Sequence, residues 1–379
     1  MGAQATCCKN FFKDKEYIDK YILSSKLSIS RIIRIQAVYR GFIFRKKKKY
    51  HKFSMQSTNN GSQENVFMPH KRPGIEMPMT SEAPDLSSKI KRLKEMLPPF
   101  ELNEKETFEL KNENLRRLCL VYPDKSMYKG YFNSEWLRDG YGIFYLPDGS
   151  LYEGFFKSNH MQGRGRLFNI EGFCYEGEFV ESKANGFGKF MSLEGVTYVG
   201  YWKNEKQHGV GEEVYPDGSK YEGMFENGKK HGKGKFTCHD GQYYEGEFSN
   251  NDIHGKGTYK WKDGRIYSGS WNSNKMDGTG VFTWPDRKKY IGSYSMDNKH
   301  GYGVFLWPDG KKFEGAWLNG KQHGYGIFTN GITQYGEWRN GKKIRWLQKD
   351  NQEYEKAKEE LEQLKIEYNF SEVEEYLGI

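Results

Sequence analysis

The sequence predicts a mainly β fold: an elongated, single-layer antiparallel β ribbon of about ten short repeats, with helices on its N- and C-terminal sides. Three observations carry this expectation. The 379 residues are 16% aromatic and include 44 glycines, yet the mean hydropathy is −0.90, a composition suited to short strands and turns, not a thick aliphatic core. Glycines recur at 130, 154, 177, 200, 223, 246, 269, 292, 315 and 336, and Gly-x-Gly pairs recur every 23 residues from 140/142 to 324/326. An acidic or Asn residue precedes a turn in the same period, from Asp124 and Asp148 to Asp309 and Asn330, and Gly follows it in eight of ten cases; Lys125 and Arg287 are the departures. Three independent series in one period identify a repeat architecture.

Taken in chain order, residues 1–30 read as a lipidation signal and amphipathic segment. MGAQATCCKN fits M-G-x-x-x-[ST], the N-myristoylation pattern, on Gly2 and Thr6, and Cys7 and Cys8 follow where S-acylation would add a second anchor. One myristoyl chain binds a membrane only marginally, on the order of 10⁴ M⁻¹, so stable anchoring takes a second signal. Residues 31–53 read as a helix with a polybasic end. Ile32, Ile35, Tyr39 and Phe42 share one helical face, with arginines beside it. Ile35-Gln36-x-x-x-Arg40-Gly41-x-x-x-Arg45 is similar to the IQ motif over eleven residues. That resemblance implies a calmodulin-like EF-hand partner contacted by Ile35, Gln36, Arg40, Gly41 and Arg45. The same residues would also make a membrane-surface helix, and Lys46, Lys47, Lys48 and Lys49 would hold it to anionic lipid. Ca²⁺–calmodulin lifting the segment from the membrane would join the two readings.

Residues 54–84 are polar, carry four prolines and lack periodicity, so they read as a flexible linker. Residues 85–119 form a helical preamble, in which Leu86–Leu97 is a short helix stopped by Pro98-Pro99.

The repeat array spans 120–345. In VYPDGSKYEGMF (214–225) two short strands flank a Pro-Asp-Gly turn, where Pro presets φ and Gly supplies a positive φ. Tyr221 and Phe225 share a strand face, and Gly223 between them is expected to let a ring of a neighbouring repeat lie over the backbone. Stacked hairpins would then share an aromatic ladder, about 90–100 Å long at ~4.8 Å per strand. The units 221–236 (YEGMFENGKKHGKGKF) and 312–328 (KFEGAWLNGKQHGYGIF) match the consensus Y-E-G-x-W-x-N-G-K-x-H-G-x-G nearly residue for residue, and the array resembles the MORN repeat family. The resemblance implies the elongated antiparallel ribbon, and links such arrays to phosphoinositides and to dimers. The first unit departs, with an extra residue before Gly140 and Asp139 in the His position; the last departs with Ile344-Arg345 in place of His-Gly.

Residues 346–379 read as a C-terminal helical cap. Tyr354, Ala357, Leu361, Leu364 and Tyr368 follow 3-4-3-4 spacing, short of a coiled coil, and the helix is expected to cover the ribbon's open end or to dock a partner.

The chemistry-bearing residues are absorbed by the repeat. His208, His231, His254, His300 and His323 would sit ~10 Å apart, too far to share a metal whose ligands lie at ~2 Å. Gly232-Lys233-Gly234-Lys235 lacks the Ser or Thr and the following helix of a phosphate loop. No catalytic constellation, cofactor site or metal site stands apart, so the chain is not expected to be an enzyme. The net charge of +9 is confined to residues 1–53, which carry +11, leaving the rest at −2; this favours an anionic membrane surface or an acidic partner over nucleic acid. The five cysteines form no disulfide framework or metal cluster, and residues 1–30 lack the apolar run of a secretory signal. The expected role is a non-catalytic scaffold, regulated by a calmodulin-like protein, that tethers cytoskeletal or cortical proteins to the cytoplasmic face of the plasma membrane or to the cell cortex. A structural component of an axoneme or cilium, and a regulatory subunit of a lipid-signalling enzyme, are the alternatives.

Overall fold

A computed structural model of the chain describes residues 83–112, 115–349 and 351–374. The helices are α1 (Ser88–Glu95), α2 (Glu104–Asn112), α3 (Gln352–Glu367) and α4 (Ser371–Glu374). Between α2 and α3, twenty-one strands run from β1 (Arg116–Val121) to β21 (Lys342–Trp346). Every strand pairs antiparallel with its predecessor and its successor, so the sheet is one open meander, as the periodicity predicted. The sheet begins at Arg116, inside the stretch expected to be a helical preamble.

One repeat shows how the sequence builds the ribbon. Strand β10 (Lys220–Glu226) turns into β11 (Lys229–Thr237) through Asn227 at φ 51° and Gly228 at φ 81°. Two successive positive φ values match the twist of the strands they join. On the opposite edge the Gly218 amide donates to the Tyr215 carbonyl, and Asp217 accepts from the Ser219 amide at 2.9 Å. Between Gly223↔Gly234 and Phe225↔Lys230 the register slips, so His231-Gly232 form a bulge, with Gly232 at φ 67°. In the last unit, where Ile344-Arg345 replaces His-Gly, the slip is one residue shorter. In the first unit the extra residue is taken up by a longer turn, Asn133–Leu137, with Trp136 at φ 61°.

The core is the aromatic ladder. Tyr221 and Phe225 are buried, their rings 5.0 Å apart and edge-to-face, and Tyr221 meets Phe248 of the next repeat at 5.1 Å. Neighbouring repeats therefore share rings, but the ring over Gly223 is not a neighbour's. A β-carbon at Gly223 would lie 2.6 Å from the Tyr221 hydroxyl, and one at Gly234 would lie 2.4 Å from it. The ring of each repeat's own tyrosine leans along the strand over these two glycines, and its hydroxyl donates to the carbonyl of Met224 at 2.9 Å, the residue at the bulge. Same-face residues two apart on a strand are simply closer than the next repeat.

The helices lie on the other face. Ile90 and Leu93 of α1 pack on Leu151, Phe168 and Cys174. The C-terminal helix predicted from 3-4-3-4 spacing forms, capped by Asn351, and buries Ala357 and Leu361. Together α3 and α4 pack with Leu361, Phe370 and Val373 on Val281, Ile291, Tyr302 and Val304. They cross the sheet face and leave the edge strand β21 open, because the apolar rows that can receive their stripe run across the face, while β21 exposes all but its last residue.

Candidate functional site

The expected lipidation residues Gly2, Cys7 and Cys8, the expected EF-hand contacts Ile35, Gln36, Arg40, Gly41 and Arg45, and the basic run Lys46–Lys49 lie outside the described residues. Within them, Gly232-Lys233-Gly234-Lys235 sits in strand β11, with Gly234 under the Tyr221 ring. The histidines occupy the bulges. His323 Nδ1 accepts from the Asn340 amide at 3.4 Å, His231 Nε2 lies 3.5 Å from the Glu226 carboxylate, and His300 meets the Tyr368 ring at 6.0 Å. Among the described residues no group of three or more His, Cys, Asp or Glu side chains could hold a metal ion, and no helix is long and apolar enough to cross a membrane. Burial in the α1 contact pushes the Cys174 thiol up to about 12, which leaves it protonated and unreactive near neutrality.

Two lysines are buried in the ladder, in the column opposite the aromatic of each repeat. Lys230 Nζ lies 2.8 Å from Glu213 Oε2 and 2.7 Å from the Tyr215 hydroxyl, against the Tyr221 ring at 5.1 Å. Burial by itself would raise the Glu213 carboxyl; the Lys230 ammonium and the hydrogen bonds from Tyr215 and Gln207 hold it below its ordinary value. Lys299 is 8% exposed, and its ammonium lies 4.6 Å from the Phe305 ring, 4.9 Å from Tyr290 and Trp317 and 5.0 Å from Trp284. No carboxylate among the described residues pairs with it, and burial pulls it down to about 8. What hides these two is strand alternation: Phe225↔Lys230 and Tyr294↔Lys299 are register partners, so both lysines face the ladder.

The helices cover only part of the face they lie on. One row of side chains crosses it strand by strand. At its N-terminal end Tyr141 stacks on Phe100 at 6.1 Å, and Arg164 is clamped by Glu106 at 2.6 Å. At its C-terminal end Tyr302 meets Phe370 at 4.8 Å, and Glu372 accepts from Thr279 at 2.8 Å and from Lys256 at 3.0 Å. The middle is uncovered. There Phe187 pairs with Tyr201, the rings 5.6 Å apart, and Val210 pairs with Met224. These four are 50%, 54%, 63% and 47% exposed.

Comparisons with known proteins agree with this architecture. The sequence profile of the MORN repeat matches nine segments: 137–151, 152–168, 175–192, 198–220, 221–243, 244–264, 267–288, 290–312 and 313–331. No curated protein matches the chain. Solved structures with weak likeness include the TCP10 domain of Danio rerio CPAP in complex with a peptide of STIL, at 12% identity and TM-score 0.24, covering 62% of this chain and 98% of that one. The Drosophila melanogaster SAS-4 TCP domain with a proline-rich motif of Ana2 is 10% identical, at TM-score 0.22, covering 57% and 96%. Virginiamycin B lyase from Staphylococcus aureus is 14% identical, at TM-score 0.12, covering 63% and 75%.

Proposed function

The chain carries MORN repeats across residues 137–331, a module generally associated with non-catalytic scaffolds of membrane and cytoskeleton, and on that premise we propose that it tethers protein partners to the cytoplasmic face of a membrane or cell cortex. The carrying observation is the junction of two features in one chain: the MGAQATCC start, with Gly2, Cys7 and Cys8 as acyl acceptors, and a long open sheet that offers a surface repeated strand by strand. The segment Ile35–Arg45 binds a calmodulin-like protein, and the basic run Lys46–Lys49 adds electrostatic attraction to anionic lipid, about 1 kcal/mol per residue near the surface. Ca²⁺–calmodulin binding competes with that attraction and loosens the tether. The cytoskeletal alternative rests on the same ribbon, whose 23-residue period suits docking on a lattice.

Intact-protein mass spectrometry of native material, with membrane fractionation of wild type against Gly2→Ala, tests the tether. The expected result is a mass increment for one myristoyl and at least one further acyl chain, and a shift of Gly2→Ala to the soluble fraction. An unmodified N-terminus would overturn the membrane reading. Pelleting that survives both detergent and Gly2→Ala would assign the protein to the cytoskeleton instead. Vesicle binding of a 1–53 peptide should fall on addition of Ca²⁺–calmodulin; indifference would remove the switch.

A further inference from the structure

Asparagine followed by glycine is the pair most prone to deamidation, because a glycine amide with no β-carbon beside it closes readily onto the asparagine side chain. Six such pairs occur in the chain: Asn60-Gly61, Asn185-Gly186, Asn227-Gly228, Asn319-Gly320, Asn330-Gly331 and Asn340-Gly341. The first lies outside the described residues. We propose that the fold shields four of the other five and leaves Asn330 as a site of spontaneous deamidation, with water as its only co-reactant.

Three of the shielded pairs are tight turns of the ribbon, with Asn227 at φ 51°, Asn319 at φ 50° and Asn340 at φ 50°. In each the glycine amide donates to a carbonyl of the preceding repeat: Gly228 to Gln207 at 2.9 Å, Gly320 to Lys299 at 2.9 Å and Gly341 to Gln322 at 2.8 Å. An amide held in this way has to be released, as for hydrogen exchange, before its nitrogen can lose a proton and attack. Asn185-Gly186 lies inside strand β7 (Lys183–Ser192), where Gly186 is the register partner of Trp202, so strand pairing fixes that backbone too.

Asn330-Gly331 differs in each respect. It joins β19 (Lys321–Asn330) to β20 (Ile332–Arg339), at the turn where the other units place Asp or Glu. There a carboxylate is held by the amide two residues on, as Asp217 is by Ser219 at 2.9 Å and Asp309 by Lys311 at 3.2 Å. The Asn330 side chain makes no hydrogen bond among the described residues, and the Gly331 amide donates to none of their acceptors. Both residues are exposed, and a β-carbon at Gly331 would meet nothing within 4 Å. The reacting groups are therefore free to approach each other.

The step balances without an enzyme. The Gly331 nitrogen attacks Asn330 Cγ, the Cγ–Nδ2 bond breaks, and ammonia leaves with the amide proton, closing a cyclic imide. Water then opens the ring at either carbonyl. One product is an aspartate, which restores the acid that the other units carry at this turn. The other is an isoaspartate, whose backbone is longer by a methylene. Each adds a negative charge and neither returns to asparagine, so the mark accumulates with the age of the molecule.

The full chain is incubated in mildly alkaline buffer, sampled over time, digested and mapped by mass spectrometry, with heavy-oxygen water marking each new carboxyl. Asn330 should convert at least tenfold faster than Asn185, Asn227, Asn319 and Asn340, giving both aspartate and isoaspartate. In denaturant the five should convert at comparable rates, since the ranking comes from the fold. Gly331→Ala and Asn330→Gln should each slow conversion at this turn at least tenfold. The first comparison uses the unaltered protein, so no folding defect can imitate its result. No conversion at Asn330, equal rates at Asn330 and the tight turns in the folded chain, a tenfold lead that persists in denaturant, or a rate indifferent to Gly331→Ala would overturn the proposal.

Discussion

Lys230 and Lys299 occupy the same column of the ribbon, and the same substitution should act on them with opposite sign. Lys299 has ring faces but no carboxylate, and Met276 and Met161 already fill its column in other repeats, opposite Trp271 and Phe156. Its ammonium is drawn down to about 8 by burial, so below pH 8 it is charged in folded and unfolded states alike and the desolvation cost is constant. Between pH 8 and the ordinary lysine value near 10.4 the unfolded state holds more protons, and stability contributed by this group rises with pH. Cation–π attraction offsets part of the cost. Lys299→Met should therefore stabilise the protein by about 1–3 kcal/mol at pH 7, the gap closing towards pH 10.5, as read by denaturant unfolding at both pH values. Lys230→Met strands the buried Glu213 carboxylate and should cost about 3–5 kcal/mol; Lys230→Met with Glu213→Gln should recover most of it. Gly234→Ala would drive a methyl to 2.4 Å from the Tyr221 hydroxyl and should cost about 1–3 kcal/mol through displacement of the ring, visible in the same unfolding measurement and as altered near-UV tyrosine signal.

Turns decide how firmly one hairpin is fastened to the next. The second residue of the tight turn donates its amide to a carbonyl in the preceding repeat, as Asn274 does to Ile253 at 2.9 Å, and at Asn159, Ser182, Asn251, Asn274 and Asp297 the side chain also accepts from the same residue's amide, at 2.8 Å for Asn274. Gly228 and Gly320 keep the first bond and have no side chain for the second. Asn274→Ala should therefore lose about 1–3 kcal/mol, from the two side-chain hydrogen bonds to the Ile253 amide and the Asp252 carboxylate and from a non-polar residue at φ 67°. Arg287 stands where most repeats place Gly, and it holds the same left-handed backbone, at φ 67°. Arg287→Gly should raise stability by about 1 kcal/mol, measured as a small rise in melting temperature; a fall would mean that the arginine side chain makes up for its backbone.

Across the whole molecule, stability is spread along the ribbon, since each strand touches its sequence neighbours and little else except where the helices cross. The helices make two stretches different. Removing residues 350–379 uncovers Ile291 and Val304, both fully buried, together with Val281. Hydrogen exchange should then accelerate over Lys275–Asn330 while Lys183–Thr237 keeps its protection, and the truncated chain should self-associate through the new apolar surface. Uniform acceleration along the ribbon would show that the repeats unfold as one unit and that the helices act on all of them.

The repeat, its turns and the aromatic face were legible in the residues alone, because backbone requirements leave a local mark: Gly where φ is positive or a ring lies on the backbone, Asp where a turn needs an acceptor, and aromatics four residues apart with Gly midway between them. The C-terminal helix was legible too, from its 3-4-3-4 stripe. Its place was not. That α3 and α4 cross the face and leave β21 open, that Lys230 and Lys299 turn inward, and that Phe187, Tyr201, Val210 and Met224 lie side by side in the uncovered middle of one row, all depend on which residues strand register sets side by side. Register joins positions tens of residues apart, and no local spacing records which of the resulting rows will find a helix to cover it.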